Sequence, residues 1–156
     1  MDRRTVLMSV AGLALISTTA AAQQPSDLDA IKVANQAFYK ALSARDLRAM
    51  ESLWANKAYV VNIGPRNNSV AVGYADAVTK YWPVPFDQFS QINVSSTVVQ
   101  LQSNGKIAWV VGTEKASLQP KSGGDPLTFE TFVTNTFEKQ GNHWLMTSHH
   151  AQPIPK

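Results

Sequence analysis

From Ser26 onward the apolar residues recur at helical spacing: Leu28, Ile31, Phe38 and Leu42 share one face with Asn35, and Ser26 with Asp29 forms a capping-box-like start. This predicts a helix over Asp27–Ala44. Asp46 is a good N-cap for a second, shorter helix in which Leu47, Met50 and Trp54 mark one face, ending near Asn56. The period then changes. Tyr59-Val60-Val61-Asn62-Ile63 is aromatic and β-branched, stops at the turn cluster Gly64-Pro65-Arg66-Asn67-Asn68, and is followed by a short strand at Val70-Ala71-Val72. A third helix is expected from Ala75 to about Tyr81, terminated by Pro83 and Pro85.

The rest of the chain alternates as strands. Ile92 and Val94 alternate in one phase and Val99 and Leu101 in the other, which predicts a bulge near Thr97 to Val99. Asn104-Gly105 is a hairpin signal joining Ser95–Ser103 to Lys106–Leu118, and a polar loop leads to a strand at Leu127–Glu138. In that strand Phe129, Thr131, Val133, Asn135 and Phe137 share the phase expected to face inward, while Glu130 and its Thr-rich neighbours face outward. The turn Gln140-Gly141-Asn142 opens a last strand carrying all three histidines, His143, His149 and His150. His150 shares parity with Trp144 and Met146 and is therefore expected inside, with His149 outside. Helices gathered before a long antiparallel meander predict the α+β class, with helices on one face of a curved sheet.

The two ends and the charge narrow the setting. Met1-Asp2-Arg3-Arg4, an apolar run from Val6 to Ile16 and Ala20-Ala21-Ala22 have the layout of a cleaved export signal, so residues 1–22 are set aside and residues 23–156 are read as a single domain. This implies a periplasmic or secreted protein, by the general secretory route or, given Arg3-Arg4, the twin-arginine route, with no membrane insertion after cleavage. Without the signal the net charge falls from +3 to +2, and the lysines and arginines are scattered singly, which argues against nucleic acid as a partner. There is no cysteine, so disulfide and thiol chemistry are excluded.

The chemistry available is correspondingly limited. His149 and His150 are adjacent and point apart, and His143 lies roughly 20 Å from His149 along an extended strand, so two of them cannot hold one ion; neither a metal nor a cofactor is expected. No Gly-x-Ser-x-Gly elbow is present. Asp27, Asp29 and Asp46 fit helix starts, and Glu114, Glu130 and Glu138 lie on strands. The sharper pair is Asn62, a polar residue in an apolar strand, with His150; each also fits a hydrogen-bonded structural role.

The runs Asn35-Gln36-Ala37-Phe38-Tyr39-Lys40-Ala41-Leu42 into Arg45-Asp46-Leu47, Leu53-Trp54-Ala55-Asn56, Gly73-Tyr74-Ala75-Asp76-Ala77 and the closing Trp144 to His150 together resemble the nuclear transport factor 2-like superfamily, and within it the SnoaL-like (DUF4440-type) exported domains. The resemblance implies a cone-shaped fold with a strongly bent, mostly antiparallel sheet wrapped around the long N-terminal helix, an apolar pocket at the wide end and a homodimer through the sheet. It places Asn62, Phe38 and Val133 where ketosteroid isomerases of the superfamily keep their base, tyrosine and acid, so that mechanism is not expected here. Three functions follow as expectations. The first is a pocket for a small apolar molecule, lined by Phe38, Trp54, Asn62, Trp82, Val133, Asn135, Met146 and His150. The second is an isomerase, cyclase or dehydratase with His150 as general base and Asn62 orienting a substrate oxygen. The third is a dimerisation scaffold without catalysis.

Overall fold

The computed structural model describes residues 26–155, so the export signal inferred for residues 1–22 lies outside the described residues. Helix α1 spans Asp27–Ala44. Its start is a reciprocal cap: Asp29 N donates to Ser26 Oγ at 3.2 Å and Ser26 Oγ donates to Asp29 Oδ2 at 2.6 Å. It stops at Arg45, which turns into the left-handed region at φ 54°. Asp46 then caps α2 (Leu47–Ser52) by accepting from Ala49 N at 2.9 Å. Ile31, Asn35, Phe38, Tyr39 and Ala41 form the buried face of α1.

Six strands make one sheet in the order β2-β1-β6-β5-β4-β3. They are β1 (Val61–Ile63), β2 (Ala71–Val72), β3 (Phe89–Ser103), β4 (Ile107–Pro120), β5 (Leu127–Gln140) and β6 (His143–Pro153). Among these six strands β1 runs parallel to β6 and the other neighbours are antiparallel, and Trp54 adds an isolated parallel bridge to Met146. The sheet curls around α1, and the core between them is built largely of aromatic and sulfur side chains, among them Phe38, Met50, Trp54, Trp82, Phe137 and Met146. The class is α+β, as the order of elements predicts.

The expected bulge in β3 is present. Val98 pairs with Gly112 and Gln100 with Val111, which leaves Val99 as the extra residue. Gly112 is needed opposite it, because a Cβ there would run into the Thr97 carbonyl, a backbone atom that cannot swing away.

The third helix differs from expectation. Ala75–Thr79 forms a π-helical turn, and Pro83 does not terminate a helix but opens one, α3 (Pro83–Gln88). Both prolines fall in the first turn, where no N–H is required of them.

The second difference decides the chemistry. In β6 a bulge separates Ser148, which pairs with Thr136, from Met146, which pairs with Phe137. Thr147 is the additional residue, and it reverses the alternation. Trp144 and Met146 face the core before it, and His149 and Ala151 face the core after it. His149 is therefore buried and His150 exposed, the opposite of the expected arrangement; His143 is also exposed.

Candidate functional site

Five buried polar side chains from three elements meet around His149 of β6. Asn35 and Tyr39 are one turn apart on α1, Glu114 lies on β4, and Thr131 and Asn135 lie on β5. Sheet register sets Glu114 opposite Thr131 and Asn135 opposite His149, so the members are held by the backbone ladder and by α1 packed across it.

The hydrogen bonds run in one direction. Glu114 accepts at both oxygens, from Tyr39 Oη at 2.8 Å and from Thr131 Oγ1 at 2.8 Å. Tyr39 Oη, having donated its proton, accepts from Asn135 Nδ2 at 3.3 Å, and the same nitrogen donates to Asn35 Oδ1 at 2.9 Å. Asn135 therefore turns its Oδ1 to His149 Nδ1, 2.8 Å away. An amide oxygen only accepts, so Nδ1 carries the proton and Nε2 carries the lone pair. The acceptor-only end of the chain, two residues away through Tyr39, thus selects the imidazole tautomer.

The protonation states agree with this order. Burial lowers the pKa of His149 below its ordinary value; the Glu114 charge works against that shift and the neighbouring His150 adds to it. The imidazole is neutral near pH 7. Burial, and then the Glu114 charge, push the Tyr39 hydroxyl well above the ordinary tyrosine range, so it remains a donor.

His149 and Glu114 both line a cleft of about 510 Å³, a size suited to a small organic ligand. Its buried floor is apolar apart from these two: Trp82, Phe89, Ile92, Ala116 and Leu118. The exposed rim is polar, with Arg66 and Asn67 from the loop after β1, Asp76 and Lys80 around the π-helical turn, and Gln88. Tyr81 leans over Gly64, where a Cβ would collide with its hydroxyl, and donates to Asn67 Oδ1 at 3.2 Å. The His149 ring is packed against Phe38 at 5.0 Å and Trp82 at 6.3 Å between centroids, which fixes its plane.

Of the residues expected to line the pocket, Trp82 does so. Phe38, Trp54 and Met146 are consumed by the core, and Val133 is buried in the sheet without reaching the cleft. Asn135 stands behind His149. Asn62 is fully buried and donates to the Ala77 carbonyl at 2.9 Å, tying β1 to the π-helical turn instead of facing the cleft. His150 is exposed on the outer face, where it cannot meet a ligand in the cleft.

Three positions of this candidate site were not singled out by the sequence. Glu114 falls in the inward phase of β4, with Ala108, Val110, Gly112, Ala116 and Leu118, so a lone carboxylate in an apolar register was a usable signal. Tyr39 sits beside Phe38 on the buried face of α1. His149 had no such signal, because Thr147 does not look like a bulge residue.

The SnoaL-like domain model matches residues 31–155. The chain belongs to the SnoaL-like domain family. No curated protein matches it. Among solved structures this SnoaL-like domain is similar to a candidate dehydratase of the NTF2-like family from Streptomyces avermitilis, with 25% identity, a TM-score of 0.74, and coverage of 83% of this chain and 98% of that one. A ketosteroid isomerase-like protein from Erwinia carotovora atroseptica has 17% identity, a TM-score of 0.69 and coverage of 83% and 97%. An NTF2-like superfamily protein from Salmonella enterica has 12% identity, a TM-score of 0.72 and coverage of 81% and 89%. The last two establish the fold, the bent NTF2-like cone.

Proposed function

We propose that this SnoaL-like domain is a proton-transfer enzyme of the dehydratase or isomerase type, acting on a small, largely apolar molecule with His149 Nε2 as general base. The observation that carries this reading is a neutral imidazole, held in one tautomer by a hydrogen-bond chain ending at Glu114, on the floor of an apolar cleft. A base of this kind removes a proton from a carbon next to a carbonyl. The C–H electron pair then either expels a hydroxyl from the next carbon, completed by proton return from the imidazolium, or is reprotonated elsewhere in the substrate. Glu114 favours the imidazolium electrostatically, as its effect on His149 indicates, and Asn135 holds the ring. The dehydratase named among the similar structures supports the reaction class.

The test is proton exchange. Small aryl ketones such as 1-tetralone incubated with the protein in heavy water should lose their α-proton signal faster than in buffer. His149→Gln should abolish the acceleration and His150→Gln should retain it. Equal exchange in the wild type and His149→Gln would refute the base assignment.

The outer face of the sheet supports pairing of two copies through it. Trp109 and Phe132 are exposed there at 41% and 55%, beside a band of threonines on β4 and β5. Sedimentation equilibrium should give a dimer, weakened by Phe132→Lys.

A further inference from the structure

We propose that the cleft takes amphipathic organic anions, with Arg66 at the rim holding the anionic end while the apolar body fills the floor and a neutral reacting end meets His149. The site is that of the proposed enzyme, and the orientation of the ligand rests on that reading; the preference for an anion does not.

The charges lining the cleft are unevenly committed. Glu114, on the floor, is buried and already accepts two hydroxyl protons. Asp76 and Lys80, on the rim, neutralise each other at 2.7 Å. Arg66 lines the same rim, is exposed, and makes no ion pair among the described residues. The cleft therefore has one buried negative charge at its inner end and one uncompensated positive charge at its outer end.

A ligand feels this as a direction. An anionic group at the inner end would meet the Glu114 carboxylate with little water to screen it, whereas at the rim it keeps part of its hydration and gains a guanidinium that can bind a carboxylate in bidentate fashion. The backbone puts the two ends within one ligand's reach. Asn62 of β1 is level with His149 in the parallel pairing, and Arg66 follows four residues later in the loop leaving that strand. The predominantly apolar lining between the two ends suits an apolar body.

The test uses a matched pair of probes, 2-naphthoate and its neutral amide 2-naphthamide, titrated into the protein by calorimetry in low-salt buffer. The naphthoate should bind about fivefold more tightly than the amide, the size expected of one partly solvated ion pair. That ratio should shrink with added salt and fall to unity in Arg66→Ala. Replacing both members of the neutral rim pair, Asp76→Asn with Lys80→Gln, should leave it in place. Equal or tighter binding of the amide, an unchanged ratio in Arg66→Ala, loss of the ratio in the Asp76→Asn/Lys80→Gln variant instead, or no binding of either probe at millimolar concentration would each overturn the proposal. His149→Gln should keep the anion preference. A protein that keeps it but shows no His149-dependent proton exchange refutes the catalytic reading alone.

Discussion

Asn135 Oδ1 lies 2.8 Å from His149 Nδ1, and the two residues are also direct partners in the β5–β6 register. The side-chain bond is thus braced by a backbone ladder, and Asn135 can fix the imidazole without rearranging itself. Replacing it with Leu keeps the approximate volume and removes the acceptor. We expect exchange activity to fall roughly tenfold to a hundredfold with little change in ligand affinity, because the ring loses its enforced tautomer. Steady-state kinetics separating kcat from KM checks this, and equal losses in both would contradict a positioning role.

Glu114→Gln tests the source of that order. The side chain remains isosteric, but one of its two atoms becomes a donor facing a hydroxyl, so the chain through Tyr39 can run either way. Activity should fall while the fold persists, and nitrogen-15 spectra of the imidazole should change from a single Nδ1–H tautomer to a mixture.

Activity and stability should both depend on pH through His149. Burial lowers its pKa below the ordinary 6.5, so the base form persists to lower pH and the exchange rate should rise to a plateau with an apparent pKa under 6.5. The unfolded chain takes up the proton first as pH falls, so the stabilisation from this residue is fully present above pH 6.5 and is lost between that value and the lower folded value. Urea midpoints measured across this range should decline in the wild type, with a flatter profile in His149→Phe.

Tyr39→Phe removes a donor to Glu114 and an acceptor for Asn135 at once. The cost should be about 1–3 kcal/mol, since a buried carboxylate oxygen loses its partner. Chemical denaturation measures it directly.

Gly112→Ala should destabilise the protein by about 1–3 kcal/mol without touching the cleft chemistry, because the new Cβ meets the Thr97 backbone across the β3 bulge. A variant as stable as the wild type would show that the bulge can relax.

The fold was legible from the sequence where one local signal decided each element. Ser26 and Asp46 set the two helix starts, Asn104-Gly105 set the long hairpin, and the slip from Val94 to Val99 located the β3 bulge. Pro83 was misread because proline has opposite meanings inside a helix and at its first turn, and only the preceding π-helical turn decides which applies. The site was less legible for a similar reason. Counting parity from Trp144 and Met146 to the histidines is sound for an unbroken strand, but pairing with Thr136 and Phe137 inserts Thr147, and that pairing is tertiary information. Glu114 was visible in its apolar register; its partners Tyr39 and Thr131 become meaningful only once α1 lies across the sheet.

Thr147 makes the identity of the inward imidazole a matter of spacing and not of residue type. Were the ladder unbroken, with Thr147 taking its place in the alternation, the roles of the two adjacent histidines would be exchanged, presenting His150 to the cleft and turning His149 to solvent, with no side chain replaced. Two strands carrying the same His-His pair can therefore differ in which imidazole faces the interior, according to whether the ladder before the pair holds a bulge.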